Sequence, residues 1–334
     1  MRIKDLIIRI LRKVYRGITR KQFLPPMCDC DRQSSNDKIY QLLSSGKPCM
    51  ITRFGTVEIN CVNNYLCVNS HQSYFGRIVN FIVDKTHTPW WYENVLYALN
   101  NNAGVFPMGV DIAEKLSKRY LDDIPLIDIL ACHQYYEKFM PLKKDVERVQ
   151  LEMLYPFFVN RPWTRILKDK KVLVVHPFEE TIKTQYAKRN LLFSDSNILP
   201  EFELITMKAV QTIAGNKSEF KDWFQALAYM EKKIEELDFD IAIIGCGAYG
   251  LPLAAHVKRL GKQAIHLAGG TQLLFGILGK RWTDSYKKIG VWHYLPNKDI
   301  NIDYTSLFNE NWIYPLASDT PKNANAVEGA CYWK

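Results

Sequence analysis

The residues with the clearest chemical meaning form a glycine-rich turn after an apolar run, in Ile241-Ala-Ile-Ile-Gly-Cys-Gly-Ala-Tyr-Gly-Leu-Pro252. Gly245, Gly247 and Gly250 match the G-x-G-x-x-G pattern of a strand–turn–helix unit. In such units, backbone N–H groups approach an anion, most often a diphosphate. The pattern therefore predicts a nucleotide-binding turn, although it does not say which nucleotide binds.

A dinucleotide site normally also carries an acidic residue about 20 residues after the glycines, where it binds the ribose hydroxyls. No aspartate or glutamate occurs between Asp240 and Asp284, which argues against NAD as the ligand. An NADP-dependent enzyme stays open as an alternative, because Lys258 or Arg259 could bind a 2′-phosphate in place of the missing acid.

A second candidate turn lies in Met50-Ile-Thr-Arg-Phe-Gly-Thr-Val-Glu58, where an apolar run ends at Arg53. Gly55 permits a tight bend, and Thr56 is placed to cap a helix whose first turn contains Glu58. One interpretation is structural, with the cap and the helix dipole accounting for Thr56 and Glu58. The other places Arg53 on a phosphate and Glu58 on a divalent cation or a sugar hydroxyl.

A third turn follows the apolar run in Val174-Val-His-Pro-Phe-Glu-Glu-Thr181. His176 and Glu179 lie just beyond the predicted strand end, where α/β enzymes place catalytic groups, and Glu180 is a near-equal choice. These residues are candidates for a general base. The alternative for His176 is a packed histidine with satisfied hydrogen bonds.

A fourth turn, Leu267-Ala-Gly-Gly-Thr-Gln272, contains Gly269 and Gly270 ahead of a helix that Thr271 could cap. This turn and the G-x-G-x-x-G turn are neighbours along the chain, with no acidic residue between them. Two adjacent glycine-rich turns of this kind predict a site for an anionic ligand. Close packing of helix on strand is the alternative explanation for the glycines.

The elements that must position these turns alternate along the 334 residues of the chain. This alternation predicts an α/β fold with a doubly wound, mostly parallel, Rossmann-like sheet, which binds ligands at the carboxyl ends of its strands. We expect one domain over residues 25–334, with a candidate seam near residues 160–170. The predicted strands are Cys49–Arg53, Gly104–Phe106, Leu126–Leu130, Lys171–Val175, Phe202–Met207, Asp240–Ile244 and Gln263–Leu267, and the clearest predicted helix is Ser218–Leu237.

Residues 1–24 predict a basic amphipathic helix ahead of the domain. Residues 1–21 contain eight basic residues and one acid, a net charge of +7 out of +9 for the whole chain. Such a helix could lie on an anionic inner membrane surface or dock on the protein's own body. Arg9 interrupts the apolar run, so neither a secretory signal nor a membrane span is expected. The nearly neutral remainder of the chain does not favour nucleic-acid binding.

The eight cysteines lack the paired C-x-x-C spacing with histidines that a structural zinc site requires. Reduced, partly buried thiols are the simplest account of them. Such thiols are typical of a reducing compartment. We therefore expect a cytoplasmic protein, peripheral on the cytoplasmic membrane face if the N-terminal helix binds lipid.

Several of these segments resemble a known family. Arg53-Phe-Gly-Thr-Val-Glu58 is similar to the Arg-Phe-Gly-Asp-x-Glu motif of bacterial glycosyltransferases with the GT-D fold, which act in surface-polysaccharide, capsule and glycoprotein glycan assembly. The resemblance extends from about Lys47 to the end of the chain. Further similar segments are His176-Pro-Phe178, Lys208-Ala-Val-Gln-Thr-Ile-Ala-Gly215, the G-x-G-x-x-G turn, Gly269-Gly270, Gly279-Lys-Arg-Trp282 and Val327-Glu-Gly-Ala-Cys-Tyr-Trp333.

The resemblance implies transfer of a sugar from a nucleotide-diphosphate sugar donor to a glycan acceptor. In that family the Asp-x-Glu pair takes part in binding a divalent metal, Mn²⁺ or Mg²⁺, and the diphosphate. Glu58 matches the second carboxylate, whereas Thr56 replaces the first with a weaker ligand for a hard cation. Three consequences stay open: Glu58 holds the metal with the diphosphate and waters, the enzyme works without a tightly bound metal, or activity has been lost.

The expected site combines both lines of reasoning. Glu58, Glu179 and His176 are the expected catalytic residues, with Glu58 also the metal ligand. Lys208 or Arg281 could stabilise the departing diphosphate. The basic N-terminus adds the hypothesis of a lipid-linked acceptor, and the alternatives are an NAD(P)-dependent oxidoreductase or a non-catalytic relic of the transferase fold. The expected nucleotide-sugar contacts are Arg53, Gly55, Thr56, Gly245, Gly247, Tyr249, Gly250, Gly269 and Gly270.

Overall fold

The computed structural model describes residues 3–20, 22–283, 303–326 and 329–334. Val327 and Glu328 of the terminal motif lie outside the described residues, as do residues 1, 2 and 21 of the basic segment. The helices are α1 (Ile3–Thr19), α2 (Arg32–Ser44), α3 (Thr56–Val68), α4 (Tyr74–Ile82), α5 (Glu93–Asn101), α6 (Val110–Asp123), α7 (Glu179–Tyr186), α8 (Trp223–Glu235), α9 (Gly250–Arg259), α10 (Gly270–Leu274) and α11 (Lys280–Thr283). The strands are β1 (Cys49–Arg53), β2 (Ile129–Cys132), β3 (Glu147–Gln150), β4 (Lys171–His176), β5 (Glu203–Lys208), β6 (Ile241–Ile244) and β7 (Gln263–His266).

Within the described ranges, these seven strands form one sheet in the order β3-β2-β1-β7-β6-β4-β5, and every neighbouring pair is parallel. Successive side chains enter opposite cores: Met50 faces one, while Cys49 and Ile51 face the other. Helices α3, α5, α6, α8 and α9 cover the first face, and α2, α7 and α10 cover the second. Strands buried on both faces must be apolar throughout. The predicted doubly wound α/β fold is confirmed.

The predicted strand Gly104–Phe106 is wrong. Gly104 has a φ of +71°, outside the range of a strand, and the Val105 N–H donates to the Leu99 carbonyl of α5. The segment is therefore the turn that ends α5. The strand predicted at Leu126–Leu130 is β2 (Ile129–Cys132), which begins later because Ile124–Leu126, with a proline at its start, forms a short 3-10 helix.

Strand β3 is absent from the sequence-based prediction. Its residues, Glu-Arg-Val-Gln, contain one apolar side chain, because β3 is an edge strand whose first residue is exposed. The helix predicted at Ser218–Leu237 is shorter, since the Asp222 side chain accepts a hydrogen bond from the Gln225 N–H and caps α8 at Trp223. The remaining strands coincide with their predictions to within a few residues.

Helix α1 docks on the body of the protein through its basic face. Asp84, fully buried, accepts hydrogen bonds from the guanidinium groups of Arg12 and Arg16, both at 2.6 Å. Arg9 donates to the Tyr92 hydroxyl, and the Arg12 guanidinium lies over the Phe81 ring of α4. In the described parts of the chain, no helix combines the length and apolar character needed to cross a bilayer.

Candidate functional site

A cavity of about 630 Å³ opens at the carboxyl edge of the sheet. Parallel strands all end at this edge, so the turns that follow them converge on one space. All four turns singled out by the sequence contribute to its wall. The residues at or just after strand ends that line it are Arg53 (β1), His133 (β2), Glu152 (β3), His176 (β4), Gly245 (β6) and His266 (β7).

Arg53 is a cation on the cavity wall with little compensation from the protein. Its Nη2 lies 2.8 Å from His133 Nε2. A guanidinium can only donate, so Nε2 of His133 accepts and the ring is neutral. Burial lowers the pKa of His133, and the charge of Arg53 acts in the same direction. Arg53 Nε is buried without a hydrogen-bond partner among the described residues, and no described carboxylate pairs with the guanidinium. These properties indicate a site for an anion.

Glu137 lies behind His133 and completes a row of three side chains that begins at Arg53. Its carboxylate accepts a hydrogen bond from the His133 backbone N–H at 3.1 Å, and its Oε1 lies 3.4 Å from His133 Nδ1. Burial raises the pKa of Glu137 to about 8, although backbone hydrogen bonds and the charge of Arg53 lower it. Glu137 does not line the cavity, so its effect on a ligand passes through His133.

We expect Glu137→Gln to flatten the decline of stability between pH 6.5 and 8. A carboxyl whose pKa is raised on folding stabilises the protein below its unfolded pKa, and that stabilisation is lost as the pH rises through about 8. Removing the group should reduce the slope of the unfolding free energy by up to about 1.4 kcal/mol per pH unit. Urea unfolding at several pH values measures the slope. The exposed Glu310→Gln is the control, and parallel profiles for all three proteins would contradict the expectation.

Gly55 and Glu58 form the start of α3. Gly55 is the N-cap residue, whereas the Thr56 hydroxyl accepts a hydrogen bond from Gln134 Nε2 at 2.7 Å, so the predicted cap by Thr56 is wrong. A Cβ on Gly55 would lie 1.9 Å from Glu58 Oε2, because the carboxylate folds back over the glycine. The helix dipole favours it there. Glu58 also lines the cavity, which puts a carboxylate beside any bound ligand.

The G-x-G-x-x-G turn lies where it was predicted, but two of its three glycines use their N–H groups inside the protein. The Gly245 N–H donates to the Val175 carbonyl at 2.9 Å, and the Gly250 N–H donates to the Gly247 carbonyl. These two amides are therefore engaged within the fold. Gly247 has a φ of +57°, in the left-handed region that favours glycine.

The same glycines allow two imidazole rings to pack against the backbone. A Cβ on Gly245 would lie 2.7 Å from His176 Cδ2, and a Cβ on Gly250 would lie 2.2 Å from His266 Nε2. Neither distance occurs between real Cβ atoms and their neighbours. The close-packing interpretation therefore explains both positions, with a histidine on the cavity wall as the packed group in each case.

The other predicted contacts divide into two groups. Tyr249 and Gly269 line the cavity, as do Gly247, Gly245 and the β1 turn, whereas Gly250 and Gly270 lie behind it. A Cβ on Gly270 would lie 2.2 Å from Tyr155 Cε1, so this glycine admits an aromatic ring of the wall. Helix α10 has Gly269 as its N-cap, so the predicted cap by Thr271 is wrong.

His176 lines the cavity in a tautomer that favours hydrogen-bond donation. Its Nδ1 accepts from the Phe178 N–H at 3.0 Å, which leaves the proton of the neutral ring on Nε2. Burial lowers the pKa of His176 to about 3, against the opposing charge of Asp319. The geometry therefore argues against the predicted role of general base and for that of a donor.

Glu179 and Glu180 do not line the cavity. Both carboxylates pair with Lys183 on α7, at 3.2 and 2.9 Å, so the first turn of that helix carries them away from the ligand space. Lys208, a predicted partner for diphosphate, does not line the cavity; it lies in an adjoining groove and pairs with Asp319 at 3.3 Å. Nearness to a strand end in sequence was not enough to place these three residues.

The structure adds residues that the sequence did not single out. Glu152 is buried on the cavity wall, where the Tyr304 hydroxyl donates to its Oε2. Burial raises the pKa of Glu152 to about 7, although that hydrogen bond and nearby arginine charges lower it. Glu152 follows the unpredicted strand β3, so no strand end pointed to it. Arg281, already a candidate, lines the cavity with its guanidinium 4.5 Å from the centre of the Tyr332 ring.

The donor set does not fit a metal ion held by the protein alone. Glu58 is a single carboxylate, and the Thr56 hydroxyl is engaged by Gln134. In the described ranges, no three histidine, cysteine, aspartate or glutamate side chains are grouped to hold a metal ion. A hard cation takes six or more oxygen ligands. A divalent cation here would need further oxygen ligands from a bound diphosphate and from water.

Comparison of the chain with protein-family models, curated proteins and solved structures found no match. The resemblance to GT-D glycosyltransferases therefore stays a prediction that rests on the quoted motifs.

Proposed function

We propose that this protein is a glycosyltransferase that uses a nucleotide-diphosphate sugar. The observation that carries the proposal is Arg53, a cation on the wall of a cavity at the carboxyl edge of a parallel sheet, whose buried Nε has no hydrogen-bond partner among the described residues. Arg281 lines the same cavity and adds a second positive charge. A diphosphate is the common anionic group that would engage two guanidinium groups in such a site.

The size and the wall of the cavity support a nucleotide sugar as the ligand. A volume of about 630 Å³ lies within the range of small-molecule sites in proteins. Aromatic side chains give flat surfaces on which a base or a sugar ring can stack. Tyr249 is held rigidly by stacking on Trp223, with ring centres 4.8 Å apart. The aromatic residues of the wall are Tyr120, Tyr155, Phe178, Tyr249, Trp282, Tyr332 and Trp333.

The proposed reaction moves one glycosyl group. The oxygen of an acceptor hydroxyl forms a bond to the anomeric carbon, the bond from that carbon to the diphosphate oxygen breaks, and the electron pair leaves with the nucleoside diphosphate. Arg53 and Arg281 stabilise the negative charge that grows on the departing group. Nε2–H of His176 can donate a further hydrogen bond to an oxygen in the cavity.

The acceptor proton requires a base, and two carboxylates line the cavity. Glu152 has a pKa of about 7, close to the value that suits a general base at neutral pH. Glu58 carries a carboxylate at the start of α3, where it can accept a hydrogen bond from a sugar hydroxyl. We therefore assign proton acceptance to Glu152 and sugar binding to Glu58. The proposed acceptor is a glycan, and eight free thiols fit a cytoplasmic location.

Binding of NAD or NADP is less well supported, because a dinucleotide site requires a particular residue that is missing here. In a dinucleotide-binding unit, the strand after the glycine turn and helix ends near an acid that binds the ribose. Here β7 ends at His266, which is buried, hydrogen-bonded through Nδ1 to the Thr52 hydroxyl at 3.0 Å, and kept neutral by a pKa of about 3. This residue offers no charge to the ribose hydroxyls.

The proposal is tested by thermal unfolding with UDP-, GDP- and TDP-sugars, NAD and NADP, each in EDTA and in Mn²⁺. A ligand at about 100 times its dissociation constant adds roughly 2.7 kcal/mol of stability. We expect one class of nucleotide sugar to stabilise the protein, and to do so in EDTA, because arginines rather than a resident metal meet the diphosphate. Stabilisation only by NAD or NADP would overturn the proposal. Stabilisation by a nucleotide sugar that requires Mn²⁺ would support the proposed donor and would indicate that Glu58 binds a metal together with it.

A further inference from the structure

Helix α1 is amphipathic, and it packs on the protein with its apolar side facing solvent. Its contacts with the body of the protein are made by the buried Ile8 and by arginines: Arg12 and Arg16 bind Asp84, and Arg9 packs on Tyr92. The side chains on the opposite side of the helix are each at least 45% exposed. They are Leu6, Ile7, Ile10, Leu11, Val14 and Ile18. A surface helix normally buries this stripe against its own protein.

The neighbouring helix extends the apolar surface. Helix α4 packs against α1 and exposes Tyr74, Phe75 and Val79, with Phe75 at 75%. Together, α1 and α4 carry nine of the eighteen exposed large apolar side chains among the described residues. Exposed apolar side chains on an ordinary surface are scattered singly, whereas a cluster of them indicates an interaction face. The nine residues are named here the α1–α4 face.

The docking of α1 fixes this orientation. Asp84 is fully buried and holds two guanidinium groups at 2.6 Å, so turning the apolar stripe inward would leave a buried carboxylate without its partners. Such a loss costs several kcal/mol. The Arg12 Nη2 also donates to the Tyr136 hydroxyl at 3.0 Å. The α1–α4 face is therefore held outward by the fold.

We propose that the α1–α4 face binds the surface of an anionic phospholipid membrane. Charge selects this occupant over a second copy of the chain. Lys13 is exposed on α1 and Arg20 is exposed just after it, and residues 1–21 contain eight basic residues and one acid. In a symmetric dimer through this face, these like charges would be brought near each other, whereas an anionic bilayer attracts them. An apolar stripe with basic residues beside it is the pattern of a helix lying in the headgroup region.

Helix α1 also contacts the segment that follows His133 of the cavity wall. Tyr136, which binds Arg12, lies three residues after His133 of the cavity wall. The α1 helix is thus anchored on the segment that supplies a cavity residue. If the proposed glycosyl transfer holds, this arrangement suits an acceptor that carries a lipid. The membrane proposal itself rests on the α1–α4 face and not on the donor.

The test is co-sedimentation of the full-length protein with phosphatidylcholine vesicles, with and without phosphatidylglycerol. We expect binding to the anionic vesicles, weakened by added salt. The triple variant Ile7→Ser, Ile10→Ser, Val14→Ser should bind roughly 100-fold more weakly, because burial of the stripe drives insertion. Its matched control is Leu191→Ser, Tyr229→Ser, Leu260→Ser, which removes exposed apolar side chains elsewhere and should bind like the wild type.

Two outcomes would overturn the membrane proposal. One is equal vesicle binding by the triple variant and the wild type. The other is no vesicle binding together with a dimer, measured by light scattering, that the triple variant converts to a monomer; the face would then belong to a second copy. Nucleotide-sugar binding, measured by thermal unfolding on the same proteins, should be unchanged in the triple variant. The two proposals can therefore fail separately.

Discussion

Arg53→Ala is expected to weaken binding of the stabilising nucleotide sugar by roughly 30- to 1,000-fold. That range corresponds to about 2–4 kcal/mol, the cost of removing one partner from a buried, hydrogen-bonded charge pair. In the proposed complex, Arg53 binds the anion while His133 accepts a hydrogen bond from Nη2, and the buried Nε has no partner in the described part of the chain. Isothermal titration with the nucleotide sugar found in the thermal screen measures the loss.

Two companion variants make this expectation specific. Lys208→Ala removes an equal charge from the adjoining groove and should leave affinity within about twofold, since Lys208 does not line the cavity and pairs with Asp319. Arg53→Lys keeps the charge but loses the planar guanidinium, so it should recover only part of the affinity. If Arg53→Ala and Lys208→Ala weakened binding equally, a general electrostatic effect would explain the loss and the proposed site would be wrong.

The fold could be predicted because its central strands carry an unambiguous pattern. Strand β1 was placed exactly at Cys49–Arg53, and β4, β6 and β7 differ from their predictions by one residue at an end. All four are central strands that are almost entirely buried, so they are rich in apolar side chains, although β7 begins and ends with the buried polar residues Gln263 and His266. Edge strand β3 gives no such pattern, because it lies at the margin of the sheet and its first residue is exposed. Local apolar pattern thus predicts the centre of this sheet and the edge strand β5, but not the edge strand β3.

Residues of the candidate site could be predicted only where they lie at the end of a strand that the sequence reveals. The rule that ligands bind at the carboxyl ends of parallel strands selected Arg53, His176 and Gly245 correctly as wall residues. It failed for Glu179, because the direction of a side chain on the first turn of a helix depends on the rotation of that helix. It could not find Glu152, since the strand before it went unrecognised.

The glycines also show what the sequence alone does not predict about the site. Sequence spacing gives the positions of Gly245, Gly250 and Gly270 but not what approaches them. In the structure, each admits a ring of the cavity wall, from His176, His266 and Tyr155 respectively. These contacts are long-range in sequence, so no local pattern encodes them. The glycine-rich turns therefore shape the cavity by the side chains they admit, in addition to any amide they present.

The second large effect is expected from Gly250→Ala, which should lower the unfolding free energy by about 1–3 kcal/mol. Alanine is the better helix former by about 1 kcal/mol, so propensity alone predicts stabilisation at this helical position. The new Cβ, however, would lie 2.2 Å from Nε2 of the buried His266 ring. A ring in a packed core cannot yield without displacing its neighbours, and overpacking of this kind costs more than the propensity gains. Urea unfolding measures the change.

A double-mutant cycle identifies the cause of that loss. His266→Ala removes the ring, so Gly250→Ala should cost little or nothing in its presence, with a coupling energy of at least about 1 kcal/mol. Gly17→Ala is the matched control, since Gly17 is an exposed helical glycine with nothing within 4 Å of its Cβ position. Two outcomes would show that the packing explanation for the third glycine of the pattern is wrong. In one, Gly250→Ala changes the unfolding free energy no more than Gly17→Ala does; in the other, Gly250→Ala destabilises the protein equally when the His266 ring is absent. Ligand binding by the Gly250 N–H would not be an alternative explanation, because that N–H already donates to the Gly247 carbonyl.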